Sequence, residues 1–333
     1  MVVPSHGAAA PDGPEWVAVD GAPAVTIDAL LAVVEWAEST LGVGTPLTGD
    51  QYWDIAQRLE MIAANLTQVA TDAPWRGLAG ALFDAEIQGL VGSVKLVGEI
   101  DEYVADVLDY QASAVEIARE WLWQIGAGLN TAREEFAALA SSGNLVGAAA
   151  VEQVAVAYAN NMYNQTVNQL HSFSVHHASL VSGCDLRLVE YFSGLPCVSI
   201  EDAAGWAAAD GMAAGGMAAA AGLSPSSSAA VSVAPAVLTS VADSLRGCAT
   251  ALAEEIPRGE GILGEVRATH GQGGFAGEFD AALALYSASH GRSMWDLFVE
   301  CDALALRLGS IARSYSECDA DAADVLADQR AVR

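Results

Sequence analysis

The sequence predicts an all-α protein in which long antiparallel helical hairpins pack as an elongated helical bundle. Hydrophobic residues make up 53% of the 333 residues, and alanine, the strongest helix former, supplies much of that share. Apolar residues recur at spacings of three and four over long stretches, as on the buried face of a helix. We find no convincing run of alternating apolar and polar residues that would predict strands.

The chain is strongly acidic, with a formal net charge of −28 and a single lysine, Lys95. Nucleic-acid binding depends on Lys and Arg side chains that neutralise phosphates, so this class of partner is disfavoured. Charge-driven binding to an anionic membrane is disfavoured for the same reason. The acidity indicates either a solubility feature alone or attraction of a basic partner.

The N-terminal part predicts a tail followed by two amphipathic helices. Residues 1–25 are rich in Pro, Gly and Ala, and we expect them to be disordered. Thr26 or Asp28 caps a short helix that Gly42 ends, and Thr48 opens the next helix. The second helix has an apolar stripe at alternating spacings of four and three, which predicts a buried face. The stripe consists of Ile55, Leu59, Ile62, Leu66 and Val69.

A very long helix is predicted after a turn at Trp75. One helix of some sixty residues would account for the apolar pattern from Phe83 to Leu129, and the two helices are predicted to form an antiparallel hairpin. Ser141 to Asn144 break the chain before another helix, from about Leu145 to Leu180. A less regular stretch then runs to about Ile200. We assign residues 26–200 to one helical domain.

A second hairpin is predicted after a linker. Residues 201–235 are rich in Ala, Gly and Ser, which is typical of flexible linkers. Apolar positions then predict a helical hairpin over 236–316 with its turn at His270 and Gly271. An acidic tail, 317–333, follows, and we expect the last helix to fray there.

No residue pattern points to catalysis, a metal or a cofactor. Gly259 to Gly264 match the dinucleotide-binding pattern G-x-G-x-x-G, which works only between a strand and a helix. A helical pattern surrounds it here, so we interpret it as a kink near Pro257. His171, His176 and His177 lack the three- or four-residue spacing of helical metal ligands. We therefore expect a non-enzymatic protein without a metal or cofactor.

Five cysteines give no disulfide framework and no C-x-x-C metal spacing. Cys184 and Cys197 lie in one loop-rich stretch and are candidates for a disulfide. Cys248 and Cys301 occupy apolar positions of helical patterns, which predicts core packing. The N-terminus has no basic region followed by an apolar run, so no cleavable secretory signal is expected. No stretch qualifies convincingly as membrane-spanning.

Two short motifs occur at positions where helices turn or end. Trp75 and Gly77 form a W-x-G at the predicted first hairpin turn, where a buried aromatic closing the hairpin would also explain the tryptophan. Tyr315 and Asp319 form a Y-x-x-x-D at the end of the last helix. A spacing of four places the phenol and the carboxylate on one helix face.

Together these motifs resemble the substrates of type VII (ESX) secretion systems, which are mycobacterial-type systems. The N-terminal part resembles the EspA/EspE family through Trp75-Arg76-Gly77 with Leu78-Ala79, and through Tyr110 to Val115 with Arg119 and Leu122. This similarity covers roughly residues 45–135 well. It implies a W-x-G helical hairpin.

The last hundred residues resemble the EspC/EspF family, whose members accompany EspA and EspE. Val266 to Gly271, followed by Phe275 and Phe279, fit that family's helix-turn-helix. Tyr315 and Asp319 fall where its secretion signal falls. The chain therefore looks like an EspA/EspE-type unit fused to an EspC/EspF-type unit.

The resemblance implies a secreted or cell-surface protein that is cytoplasmic before export and leaves as a folded helical bundle. Tyr315 and Asp319 would be read by the secretion ATPase or a dedicated chaperone, and Trp75 with Gly77 would add a second feature. Host interaction, a role associated with virulence, a co-secreted helical partner and self-association are further expectations.

Two alternatives remain open at this stage. The Ala/Gly-rich segment 203–221 would support a membrane-active or structural role after export. A cytosolic helical ligand-binding bundle would require a polar cluster inside the bundle, for which His171, His176 and His177 are the candidates.

Overall fold

A computed structural model describes residues 26–72, 78–193, 234–271 and 277–331. These residues form six helices and contain no strand, which confirms the predicted all-α class. The helices are α1 (Ile27–Thr40), α2 (Asp50–Asp72), α3 (Leu78–Ser141), α4 (Leu145–Ser193), α5 (Pro235–His270) and α6 (Gly277–Ala331).

Helix α1 begins and ends at the predicted residues. The Thr26 hydroxyl accepts a hydrogen bond from the Ala29 backbone N–H at 3.2 Å, which satisfies one of the donors left open at a helix start. After the C-cap residue Leu41, Gly42 adopts a φ of 76°, a conformation that glycine adopts without steric cost. Thr26 is thus the N-cap, and Gly42 ends the helix as predicted.

Helices α3 and α4 are separated by a tight turn at the predicted break. Gly143 has a φ of 83°, and the Asn144 side-chain oxygen caps α4 by accepting from the Gly147 N–H at 2.9 Å. Helix α4 continues to Ser193. The prediction of an irregular stretch after Leu180 is therefore wrong for the first thirteen residues of that stretch. Three buried residues extend the apolar register there at spacings of three and four: Val181, Cys184 and Leu188.

Helix α5 ends at the predicted turn residue His270, and the last helix is longer than the sequence suggested. Helix α5 runs through Pro257 to His270. Helix α6 continues past Glu317 to Ala331, where we had expected fraying. Alanine is frequent after residue 317 and favours helix even though that stretch has no apolar stripe. None of the described helices is long and apolar enough to cross a membrane.

The chain divides into two compact units, each assembled from three separate stretches of sequence. The first unit takes its described residues from 1–52, 103–186 and 260–288. One hydrophobic core cluster of this unit is formed by residues of α1, α3 and α4. Representative buried side chains are Leu30, Val34, Val115, Leu122 and Leu170.

The second unit takes its described residues from 53–102, 187–259 and 289–333. The predicted stripe from Ile55 to Val69 is buried, as are Cys248 and Cys301. The Cys301 thiol donates to the Leu245 carbonyl at 3.2 Å, and burial raises its pKa to about 12. The thiol therefore stays protonated, and its predicted role in core packing is confirmed.

Both compact units include segments from either side of the predicted linker, residues 201–235. That linker lies outside the described residues apart from its last two positions. The domain boundaries drawn from the sequence, which follow resemblance to families, stay a prediction.

Candidate functional site at the Arg119 junction

Three segments of the first unit meet around one arginine. We call this place the Arg119 junction: the loop 41–49, the end of α5 at Thr269 to Gly271, and Arg119 on α3. One guanidinium nitrogen, Nη2, donates to the carbonyls of Leu41 and Thr269, each at 2.6 Å. The other terminal nitrogen, Nη1, donates to the Gly44 carbonyl. A single side chain therefore ties three backbone segments together.

The position of Arg119 suits a cation. Leu41 and Thr269 lie at the C-terminal ends of α1 and α5, where carbonyls lack helical partners and the helix dipole is negative. Burial lowers the pKa of Arg119, while the nearby Glu116 carboxylate opposes that shift. Arginine stays charged at neutral pH despite such a shift, and its planar fork can serve several acceptors at once.

The junction requires glycine where backbones approach each other. A Cβ on Gly271, whose φ is 92°, would lie 2.0 Å from the Thr40 carbonyl oxygen. A Cβ on Gly42 would lie 2.7 Å from the Gly271 nitrogen. Since side chains do not tolerate such distances, both turns depend on glycine for shape and for space.

Backbone pairing completes the contact between the loop and the end of α5. The Val43 N–H donates to the Ala268 carbonyl at 3.3 Å. The Leu47 N–H donates to the Thr269 hydroxyl at 3.1 Å. These bonds give the loop's backbone N–H groups partners, which they need where the fold removes them from water.

The buried side chain of His270 holds the same loop through a hydrogen bond. Its side chain is 1% exposed, and its Nε2 donates to the Leu47 carbonyl at 2.8 Å. Its ring stacks on Phe279, with ring centroids 6.4 Å apart and planes 13° apart. Burial lowers the pKa of His270, the bond to Leu47 opposes the shift, and the charge of Arg119 adds to it. His270 is therefore neutral at pH 7.

The predicted turn residues thus have defined roles in the first unit. Thr269 supplies a carbonyl and a hydroxyl, His270 holds the loop, and Gly271 permits the close approach. Their assignment to an EspC/EspF-like turn stays a prediction.

A second buried histidine lies in the same unit. His177 Nδ1 is 2.7 Å from the Gln111 side-chain oxygen, and the ring packs between Phe173 and Tyr110. Burial lowers the pKa of His177, and the neighbouring His176 lowers it further. His171 and His176 are exposed. Within the described part of the chain, no three His, Cys, Asp or Glu side chains are placed to hold a metal ion.

The predicted export motif is partly visible. Tyr315 lies in α6 with its side chain 43% exposed, and Asp319 follows in the same helix. Continuous helical backbone from one to the other places both on one face, as the spacing predicted. The side chain of Asp319 lies outside the described residues.

The remaining predicted site residues belong to the W-x-G turn and to the candidate disulfide. Trp75 and Gly77 lie outside the described residues, as does Cys197. Cys184 is buried in α4. The W-x-G turn and the disulfide between Cys184 and Cys197 therefore stay predictions.

The second unit contains a buried acid–histidine pair that the sequence analysis missed. His290 Nε2 is 3.0 Å from Asp101 Oδ2, and the two side chains are 1% and 0% exposed. Gly259 belongs to this contact, because a Cβ there would lie 3.0 Å from His290 Nδ1. The G-x-G-x-x-G pattern therefore begins with a glycine that makes room for the histidine.

A signal for this pair was present in the sequence. Asp101 falls between Val97 and Val104 at the spacings of the buried stripe of α3. His290 falls between Tyr286 and Met294 in the same way on α6. Polar residues in apolar registers indicate a buried polar contact.

These observations define an all-helical protein with a tightly bonded loop junction in its first unit. Comparison with protein families finds that residues 41–124 match the EspA/EspE family. The matched segment begins at the loop of the Arg119 junction and includes Arg119 itself. The chain thus carries an EspA/EspE-like segment, which points to type VII secretion. Comparison with curated proteins and with solved structures finds no match.

Proposed function

We propose that this chain is a non-catalytic substrate of a type VII secretion system, exported folded and acting at the cell surface or outside the cell in host interaction. The match of residues 41–124 to the EspA/EspE family carries this proposal. The all-helical fold suits it, because the resemblance implies that type VII substrates leave the cytoplasm folded, as helical pairs, without a cleavable apolar signal.

The Arg119 junction supports the second part of the proposal, a fused EspC/EspF-like unit. Arg119 lies within the EspA/EspE-like segment, whereas Thr269 to Gly271 belong to the turn that resembles the partner family. Their hydrogen bonds join the two in one compact unit. A chain of this kind would hold in cis the two helical parts that the resemblance assigns to separate proteins.

In this proposal Tyr315 and Asp319 form the export signal, read by the secretion ATPase or by a dedicated chaperone. Tyr315 is available for such a contact because it is exposed near the end of α6. Trp75 and Gly77 would contribute a second feature of the signal. A mycobacterial-type host with an ESX system is the expected setting.

Export of a Tyr315→Ala variant tests the proposal. We expect the variant to remain in the cells, because alanine removes the phenol from the exposed face of α6, while the intact chain appears in the culture filtrate. Immunoblots of filtrate and lysate from an ESX-competent host provide the measurement. Circular dichroism should show unchanged helix content, so that retention is not due to misfolding.

Tyr103→Ala is the matched control, because Tyr103 is also helical and 44% exposed. This variant should be exported like the intact chain. Undiminished export of Tyr315→Ala would contradict the assignment of the signal, and absence of the intact chain from the filtrate would contradict secretion itself.

A further inference from the structure

Helix α4 carries an exposed surface that is almost free of charged side chains. Residues 142–184 contain one ionised side chain, Glu152, although the chain has 42 Asp and Glu residues. Exposed helix faces normally carry charged residues. The exposed side of α3 follows that rule with Glu102, Asp106 and Glu116. The neutrality of α4 therefore calls for a physical reason.

Exposed apolar residues follow one side of this helix. We call it the α4 neutral face and define it by six exposed residues at spacings of three and four: Val146, Ala150, Val154, Tyr158, Asn161 and Gln165. Val146 is 83% exposed, Val154 70% and Tyr158 67%. Isolated apolar residues on a surface are ordinary, but an aligned series of them marks an interaction site.

The face continues toward a shallow groove between α4 and α3. Gln169 and Phe173 extend the spacing of four beyond Gln165, and both line this groove opposite Ile117 and Trp121. From Val146 to Phe173 the helix is about 40 Å long at 1.5 Å per residue. Such a strip, one to two helix diameters wide, offers about 400–800 Å² per partner, at the low end of stable interfaces.

A second copy of this chain fits the face better than other partners do. Two molecules of charge −28 repel each other, so they can approach closely only where charge is absent. In a dimer with a two-fold axis, the same face of both copies forms the interface, so the face has to be complementary to itself. Valine, alanine, tyrosine and the amides tolerate this, because amides both donate and accept hydrogen bonds.

A membrane fits less well. Residues 142–184 contain no Lys or Arg to attract lipid headgroups. The exposed residues between 160 and 169 are all amides, such as Asn160, Asn164 and Asn168, rather than the large apolar side chains of interfacial helices. A basic protein partner would find no carboxylate on this face to pair with.

We propose that two copies of the chain associate through the α4 neutral face. The modest area implies a dimer whose population depends on concentration. Because charge repulsion between the copies opposes association, added salt should strengthen this dimer by screening. A dimer held by ion pairs would instead weaken with salt. This proposal is independent of export.

Sedimentation velocity of the purified full chain, from low to high micromolar concentration, tests the proposal. We expect a monomer–dimer equilibrium that shifts toward the dimer as salt increases. The double variant Val154→Glu, Tyr158→Glu places like charges on both copies and should weaken association by at least about tenfold. A milder double variant, Val154→Ser with Tyr158→Ser, should weaken association less. It tests the same face if the glutamate variant fails to fold.

Leu285→Glu with Leu306→Glu is the matched control. Both leucines are exposed helical residues, 61% and 56%, outside the α4 neutral face, so the control should dimerise like the unmodified chain. The proposal is overturned if the unmodified chain stays monomeric at the highest concentration. It is equally overturned if the α4 variants dimerise normally, if the control abolishes the dimer, or if monomers bind neutral lipid vesicles through Val154 and Tyr158.

Discussion

Arg119 joins three backbone segments with one side chain, and this makes its chemistry hard to replace. Lysine keeps the charge but cannot present the fork that serves the carbonyls of Leu41, Gly44 and Thr269 together. We expect Arg119→Lys to lower the free energy of unfolding by about 2 kcal/mol, since hydrogen bonds to charged groups are worth about 1.5–3 kcal/mol. Urea unfolding followed by circular dichroism measures the loss.

Arg133→Lys is the control for this prediction. Arg133 is 54% exposed and forms an ion pair with Asp28 at 3.6 Å, a kind of contact that contributes little. An equal loss in both variants would mean that the carbonyl bonds of Arg119 contribute nothing specific.

Two of the buried histidines, His177 and His270, predict acid sensitivity. Burial lowers the pKa values of His177 and His270 below the ordinary 6.5, so the unfolded chain binds protons that the folded chain does not. Their contribution is therefore fully present above about pH 6.5 and is lost as the pH falls through the lowered values. Glu38, whose pKa is raised by burial and by Glu35, acts in the opposite direction.

Because these groups act in opposite directions, the effect of one histidine is seen in the difference between a variant and the unmodified chain. Gln at position 270 can still donate to the Leu47 carbonyl but does not titrate. The thermal midpoint of His270→Gln should fall less than that of the unmodified chain between about pH 7.5 and about pH 5.5. His171→Gln, at an exposed site, should behave like the unmodified chain. Parallel pH profiles for all three proteins would refute the role of His270.

Individual polar contacts were the least predictable part of the molecule. Glu255 is 2% exposed and pairs with Arg58 at 3.2 Å and Arg258 at 3.6 Å. Like Asp101 and His290, it occupies a position that helical periodicity reserves for apolar residues. Such a position shows that a polar group is buried, but its partner depends on which helices pack together, and periodicity within one helix does not contain that information.

At the scale of helices, the sequence predicted helix positions and ends correctly where apolar spacing or capping residues determine them locally. Thr26, Gly42 and the Ser141 to Asn144 break mark real helix ends. The end of α4 was placed too early, at about Leu180, although the buried register continues to Leu188. The end of α6 was misplaced because charge alone was taken as a sign of fraying.

Two turn glycines allow steric and conformational costs to be separated. Gly143 and Gly271 both have a positive φ, but a Cβ on Gly143 would have open space, whereas one on Gly271 would strike the Thr40 carbonyl. We expect Gly143→Ala to cost about 1 kcal/mol from the left-handed conformation alone. Gly271→Ala should cost more than about 3 kcal/mol because overpacking is added.

Urea unfolding of both variants provides the comparison. Equal costs for the two substitutions would show that the loop yields at Gly271. The close backbone approach at the Arg119 junction would then not be a rigid feature of the fold.

At the scale of the whole molecule, the sequence predicted the fold class but not how distant segments combine. Arg119 and Thr269 are 150 residues apart, and each was noticed for a different resemblance. Periodicity within a helix says nothing about contacts between residues so far apart in sequence, so this contact could not be predicted without the structure. The family match, confined to residues 41–124, reaches only one side of this contact.

The interleaved composition of the two compact units has a consequence during protein synthesis. The first unit is incomplete until residues 260–288 have left the ribosome, and the second until residues after 289 have done so. At about 5–20 residues per second, synthesis from the end of α4 to residue 288 takes roughly 5–20 s, and the apolar faces of the earlier helices wait at least that long. During that interval the nascent chain exposes these apolar faces to water, which favours its aggregation over the native packing.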